Sequence, residues 1–170
     1  MKGLTFLDKN FRDLADGWVS AMKDAGVEPT VTSTRRSLKE QTALYDAYIH
    51  GRSKYPAAYP GTSLHEWGLA FDVEAIPHTA LFVLGPLWEK LGFGKWGGRF
   101  SHHDEIHFEA NEAVKKAAGY IPHAIYEPGL EKNPLSPVDL LTPSPRGVVG
   151  LVGSPIVSAA EDFLGKLLGL

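Results

Sequence analysis

Apolar residues recur at helical spacing along residues 8–25, where Phe11, Leu14, Ala15, Trp18 and Met22 fall three and four apart. That period places them on one face of a helix. Asp8 is the expected N-cap, and Gly26 follows the end. The pattern then changes. Val27 to Ser33 is β-branched and Thr-rich, which predicts a strand. Leu38, Gln41, Leu44, Tyr45 and Tyr48 mark a second helix over 38–50. Ser37 with Glu40 three residues on forms a capping box at its start. Gly51, Pro56, Pro60 and Gly61 make 51–64 a loop. Leu69 to Ile76 alternates as a strand, with Leu69, Phe71 and Val73 on one face and Ala70 and Asp72 on the other. A third helix is predicted over about 79–91, with Gly85-Pro86 as a kink point. Phe93 to Phe100 is Gly-rich and reads as a turn. Glu105 to Ala110 reads as a short strand, and Asn111 caps a last helix, 112–118, ended by Gly119.

Beyond residue 119 the pattern breaks down. Seven of the 12 prolines, Pro122, Pro128, Pro134, Pro137, Pro143, Pro145 and Pro155, fall between 119 and 155. Proline at that density predicts an extended arm. The arm leads to 156–168, where Ile156, Val157, Ala160, Phe163, Leu164, Leu167 and Leu168 form an apolar helical face. These features divide the chain into a domain at 1–125 and an appendage at 126–170. The appendage reads as an anchor docking on a protein partner or a second copy, or as a tail packing back on its own domain. A basic face for anionic lipid is missing, since Lys132, Arg146 and Lys166 are outnumbered by acids there.

Composition narrows the chemistry. The 170 residues carry a formal net charge of −3, which excludes a generally basic surface for nucleic acid. With no cysteine, thiolate catalysis, disulfides and Cys-based zinc sites are excluded, so a metal would be held by His, Asp or Glu. The opening Met1-Lys2-Gly3-Leu4-Thr5-Phe6-Leu7-Asp8 has too short an apolar run for a signal peptide, and no transmembrane segment is expected.

Two stretches hold the candidate chemistry: Ser63 to Asp72, and Trp96 to Glu109. A catalytic zinc takes three His or carboxylate ligands and keeps one position open. His65 ends a loop and Asp72 sits inside a strand, with Gly68 between them to let the chain turn back toward one ion. His107 alternates with Ile106 and Phe108, so it can face a site while they face the core. Asp104, three residues earlier, is placed to act as a base toward water. Asp72 among apolar neighbours is costly unless paired or metal-bound, and the alternative is a carboxylate accepting backbone N–H bonds. His102 and His103 read as solvent-exposed.

Ser-x-His-x-x-Gly-x-Ala-x-Asp at 63–72, Trp-Gly-Gly at 96–98 and Asp-x-x-His-Phe-Glu at 104–109 resemble the zinc D-Ala-D-Ala carboxypeptidase and L-alanyl-D-glutamate endopeptidase family. That family includes VanX/VanY-like enzymes and phage endolysins. Arg35-Arg36-Ser37 with Gln41, Leu44 and Tyr45 is similar to a further block, and the likeness spans about 8–112. The segment before Asp104 is about one residue short and carries Arg99-Phe100 where Asp-Trp is usual, which alters the pocket wall.

The resemblance implies an α+β fold, a small, mostly antiparallel sheet with packed helices, hedgehog/DD-peptidase-like, to which the C-terminal arm is added. It implies Zn2+ held by His65, Asp72 and His107, with Asp104 as general base and Arg36 stabilising the oxyanion. Ser63, Gln41 and Trp96 are the expected substrate-binding residues. The implied activity is hydrolysis of an amide bond in the stem peptide of bacterial peptidoglycan. Asp at the base position is more like the L-Ala-D-Glu endopeptidase and endolysin branch. The missing leader fits a phage lytic enzyme and the C-terminal anchor a virion/tail-associated one, expected in the virion or the host cytoplasm before release. The alternatives are a D-Ala-D-Ala carboxypeptidase or dipeptidase, and a non-catalytic component of a phage tail or injection machine.

Overall fold

The structure is a computed structural model that describes residues 3–121. The predicted arm, the 156–168 helix and the boundary near 125 lie outside the described residues.

Among the described residues, four helices and four strands follow in the order α1 (Lys9–Asp24), β1 (Glu28–Ser33), α2 (Leu38–Ile49), β2 (Ala70–Ile76), α3 (Leu81–Lys90), β3 (Gly94–Trp96), β4 (His107–Ala110) and α4 (Glu112–Ala117). Short 3-10 turns occupy Leu4–Phe6, His78–Ala80 and Gly97–Arg99. The strands form one antiparallel sheet in the order β1-β2-β4-β3, so the fold is α+β.

The caps form as the sequence requires. Asp8 accepts from the Asn10 backbone N–H, and the Ser37–Glu40 capping box closes the start of α2. Asn111 accepts from the Val114 N–H at the start of α4. The predicted helix at 79–91 begins instead as a 3-10 turn and becomes α-helical at Leu81.

The segment expected as a turn over 93–100 departs further, because Gly94–Trp96 joins the sheet as β3, paired with β4. Gly94 is the physical reason, since a Cβ there would overlap the carbonyl oxygen of Glu109. Glycine lets the two backbones close, and the Gly-rich composition that suggests a turn here serves strand contact.

Alternation along β2 and β4 separates core from site. Phe71 and Phe108 are directly opposed across the strands, with stacked rings 5.5 Å apart. They face Trp88 of α3 and Phe11 and Trp18 of α1, all buried. Trp88 makes edge contacts with Phe11, Trp18, Phe71 and Phe108 at 5.4–6.1 Å. Aromatic pairs in that geometry add to area burial. The residues in between, Asp72 and His107, are also directly opposed, and they project from the other face.

Candidate metal centre

Register brings Asp72 and His107 together, and a tight turn supplies His65. The turn is closed by backbone bonds from Glu66 N to Ser63 O, Gly68 N to His65 O and Leu69 N to Leu64 O. Gly68 has φ +68° and lies against the start of α1, where a Cβ would come within 2.8 Å of the Asp8 nitrogen. Glycine is the residue that accepts both that φ and that approach.

His65 Nδ1 lies 2.6 Å from the Thr34 carbonyl oxygen. A carbonyl only accepts, so Nδ1 carries the proton and Nε2 presents its lone pair to the site. His65 Nε2, Asp72 Oδ1 and His107 Nδ1 then form a triangle. Its sides are 3.2 Å (His65–Asp72), 3.0 Å (His107–Asp72) and 3.2 Å (His65–His107). Ligands at ordinary zinc distances in a tetrahedron are about 3.3 Å apart. Two imidazole nitrogens and a carboxylate oxygen this close, all turned inward, therefore fit a small divalent cation. These three residues are the group among the described residues that can hold a metal ion.

Each ligand has an outer partner. Arg36 Nη2 donates to Asp72 Oδ2 at 3.2 Å, leaving Oδ1 for the site. Arg36 Nη1 donates to Gln41 Oε1 at 3.1 Å, and Gln41 Nε2 donates to the Ala58 carbonyl at 2.8 Å. His107 Nε2 faces Glu109 Oε2 at 3.7 Å.

The resemblance implies that Gln41 and Trp96 contact substrate; in the structure both side chains are buried and hydrogen-bonded within the protein. Gln41 has no exposed surface, and both ends of its amide are engaged. Trp96 is buried, and its indole N–H donates to the Glu105 carbonyl at 2.7 Å. Gln41 braces Arg36 against the 51–64 loop, and Trp96 supports the segment before His107. Ser63 is also buried, beside the turn that carries His65. The resemblance implies that Arg36 donates to an oxyanion. Its terminal nitrogens are directed to Asp72 and Gln41.

Asp104 is at the surface with its carboxyl only partly exposed, and its backbone is pinned by Asp104 N to Gly97 O at 3.0 Å and His107 N to Asp104 O at 3.1 Å. Gly97 permits this fold of the chain, since a Cβ there would overlap the Asp104 carbonyl oxygen and approach His107 Cβ to 2.9 Å. His102 and His103 are exposed, as expected.

The cluster is strongly coupled. Burial alone would raise the Asp72 carboxyl, but hydrogen bonds from His107 and His65 hold it well below the usual carboxylate range. Burial alone would lower His107, but the Asp72 and Glu109 carboxylates push it up to about 9. Burial holds His65 below its ordinary value, against the pull of Asp72. Partial burial raises the Asp104 carboxyl; His107 opposes that shift and Asp72 adds to it.

Three features of the site are not evident from the sequence. The Thr34 carbonyl that orients His65 is backbone and leaves no signal in residue type. Glu66 accepts from the Gly61 and Ser63 N–H groups at 2.8 and 3.2 Å, latching the loop to the turn. Its spacing of three from Ser63 was the available hint. Lys115, buried in α4, meets Glu109 Oε1 at 3.3 Å.

Among solved structures, the LdcB LD-carboxypeptidase, described with the molecular basis of its peptidoglycan recognition, is similar at 20% identity and a TM-score of 0.46. The similarity covers 66% of this chain and 64% of that one, so the chain spans less than two thirds of that structure's length. No curated protein sequence matches the chain. The family model for VanY, D-alanyl-D-alanine carboxypeptidase, matches residues 5–128, which include His65, Asp72, Asp104 and His107. The match takes in most of the chain, and the protein belongs to the VanY D-alanyl-D-alanine carboxypeptidase family.

Proposed function

We propose that this protein is a zinc-dependent peptidase that hydrolyses an amide bond in the stem peptide of bacterial peptidoglycan. The observation that carries this reading is the triangle of His65 Nε2, Asp72 Oδ1 and His107 Nδ1 with sides of 3.0–3.2 Å. Zinc held there would polarise the scissile carbonyl and lower the pKa of water toward neutrality. Asp104 takes the proton from the attacking water and returns it to the leaving amine. Arg36 keeps Asp72 oriented and adds a fixed positive charge beside the developing oxyanion. Ser63 lies at the turn next to His65 and contributes to the substrate-side wall.

The bond we assign is L-Ala-D-Glu, because Asp104 in Asp-x-x-His-Phe-Glu resembles the endopeptidase and endolysin branch. A phage lytic or virion/tail-associated role follows from the same resemblance. The C-terminal segment would then dock on a protein of that assembly or on a second copy. The family description favours a second reading, release of a terminal D-Ala. Digestion of purified muropeptides followed by mass spectrometry separates the two. New N-terminal D-Glu supports the endopeptidase, free D-Ala supports the carboxypeptidase, and neither product with zinc present contradicts both.

A further inference from the structure

The far side of His107 carries charges that the hydrolytic reading leaves without a task. His107 and Glu109 are two residues apart on β4 and project from the same face. His107 turns Nδ1 into the cluster, so Nε2, on the opposite edge of the ring, points out of it. Glu109 Oε2 waits there at 3.7 Å. The other oxygen, Oε1, accepts from Lys115 Nζ at 3.3 Å, and Lys115 also donates to Glu112 at 3.1 Å. Glu109 and Lys115 are 8% and 6% exposed, whereas the Glu112 side chain is 77% exposed. The Glu109 backbone is fixed as well, since its carbonyl accepts from Trp88 Nε1 at 3.2 Å and packs on Gly94.

A buried ion pair is a poor way to hold a short helix down, because apolar residues of the same volume usually do as well or better. The position is the telling feature. A metal-ligating histidine commonly gives its other ring N–H to a carboxylate, which fixes tautomer and ring orientation. We infer that Glu109 is the positioning carboxylate of His107 and that Lys115 of α4 holds Glu109 in that role, so α4 tunes the affinity of the metal centre. The inference rests on the metal reading above.

The test is zinc affinity of the full chain, measured by competition with a chromophoric chelator. Glu109→Gln weakens zinc by about 10–100-fold, as loss of an outer partner does elsewhere. Lys115→Met weakens it by about tenfold, the low end of that range. Removing a positive charge alone would tighten cation binding, so weakening reports lost hold on Glu109. The double variant matches Glu109→Gln alone, because Lys115 acts only through Glu109. Glu112→Gln leaves affinity unchanged. Nitrogen NMR of zinc-loaded wild type shows His107 protonated at Nε2 and coordinating through Nδ1, an arm that needs no variant to fold. Wild-type affinity in Glu109→Gln, tighter or unchanged binding in Lys115→Met, or the opposite His107 tautomer overturns the inference. Wild type that binds no zinc, or His65→Ala that binds it as tightly, sinks the metal reading and this inference with it.

Discussion

Arg36 and Asp72 meet across the edge of the sheet, with Nη2 3.2 Å from Oδ2, and that ion pair divides the work of one carboxylate between its two oxygens. Oδ2 belongs to the guanidinium, and Oδ1 faces His65 and His107. The Arg36 side chain is 20% exposed and that of Asp72 is 10%, so the pair is poorly screened.

Arg36→Lys keeps the charge but loses the planar fork that reaches Asp72 and Gln41 together. The expected outcome is zinc binding weaker by about 10-fold or more and a fall in kcat, the scale for loss of an outer partner. Chelator competition and steady-state turnover measure the two. Unchanged zinc affinity with a reduced kcat would make Arg36 a substrate contact only.

Asp104→Asn keeps the ligand triangle and removes the base. Turnover is expected to fall by about 10²–10⁴-fold while zinc content stays near one per chain. Because the Asp104 carboxyl is raised, wild-type activity is lost on acidification at a higher pH than an ordinary carboxylate would give. The acid limb of the kcat/KM profile reports this and disappears in Asp104→Asn.

Metal and proton compete for His107. In the metal-free protein His107 is pushed up to about 9 from an ordinary 6.5. Its contribution to stability is therefore full below about pH 6.5 and lost as the pH rises through about 9. Melting temperatures of metal-free protein should fall across that window. At neutral pH, zinc binding should release a proton. Calorimetry in buffers of different ionisation enthalpy detects it, and a heat independent of buffer would contradict the assignment.

Gly97→Ala should disturb the site through the backbone. The added methyl overlaps the Asp104 carbonyl and crowds His107 Cβ, a forced repacking that costs about 1–3 kcal/mol. Gly17→Ala is the contrast, since nothing lies within 4 Å of the new Cβ in α1, and it should stabilise by about 0.5–1 kcal/mol. Thermal melts of both, with activity for Gly97→Ala, check the pair.

The helices and strands that carry strong periodicity were legible in the sequence, because burial on one face is what periodicity records. Phe11, Trp18 and Met22 announce α1, and Ser37 with Glu40 announces the start of α2. β3 was not legible, because its glycine signals a turn and its real purpose is close contact with β4. The ligand set was expected from motif order and the family resemblance, and the structure brings His65, Asp72 and His107 together. The outer layer was harder to read. The burial of Gln41 was not legible, because polarity is visible in a sequence and enclosure is not. Glu109 and Lys115 are six residues apart and become partners only because α4 folds back over β4.

The central claim is a metal held by His65, Asp72 and His107. Anomalous scattering at the zinc edge, from crystals of the full chain grown with one equivalent of zinc, tests it most directly. The expected result is one strong peak within about 2.0–2.2 Å of His65 Nε2, Asp72 Oδ1 and His107 Nδ1, with Asp104 outside that shell. A peak at His102 and His103, or none between the three residues, would contradict the account.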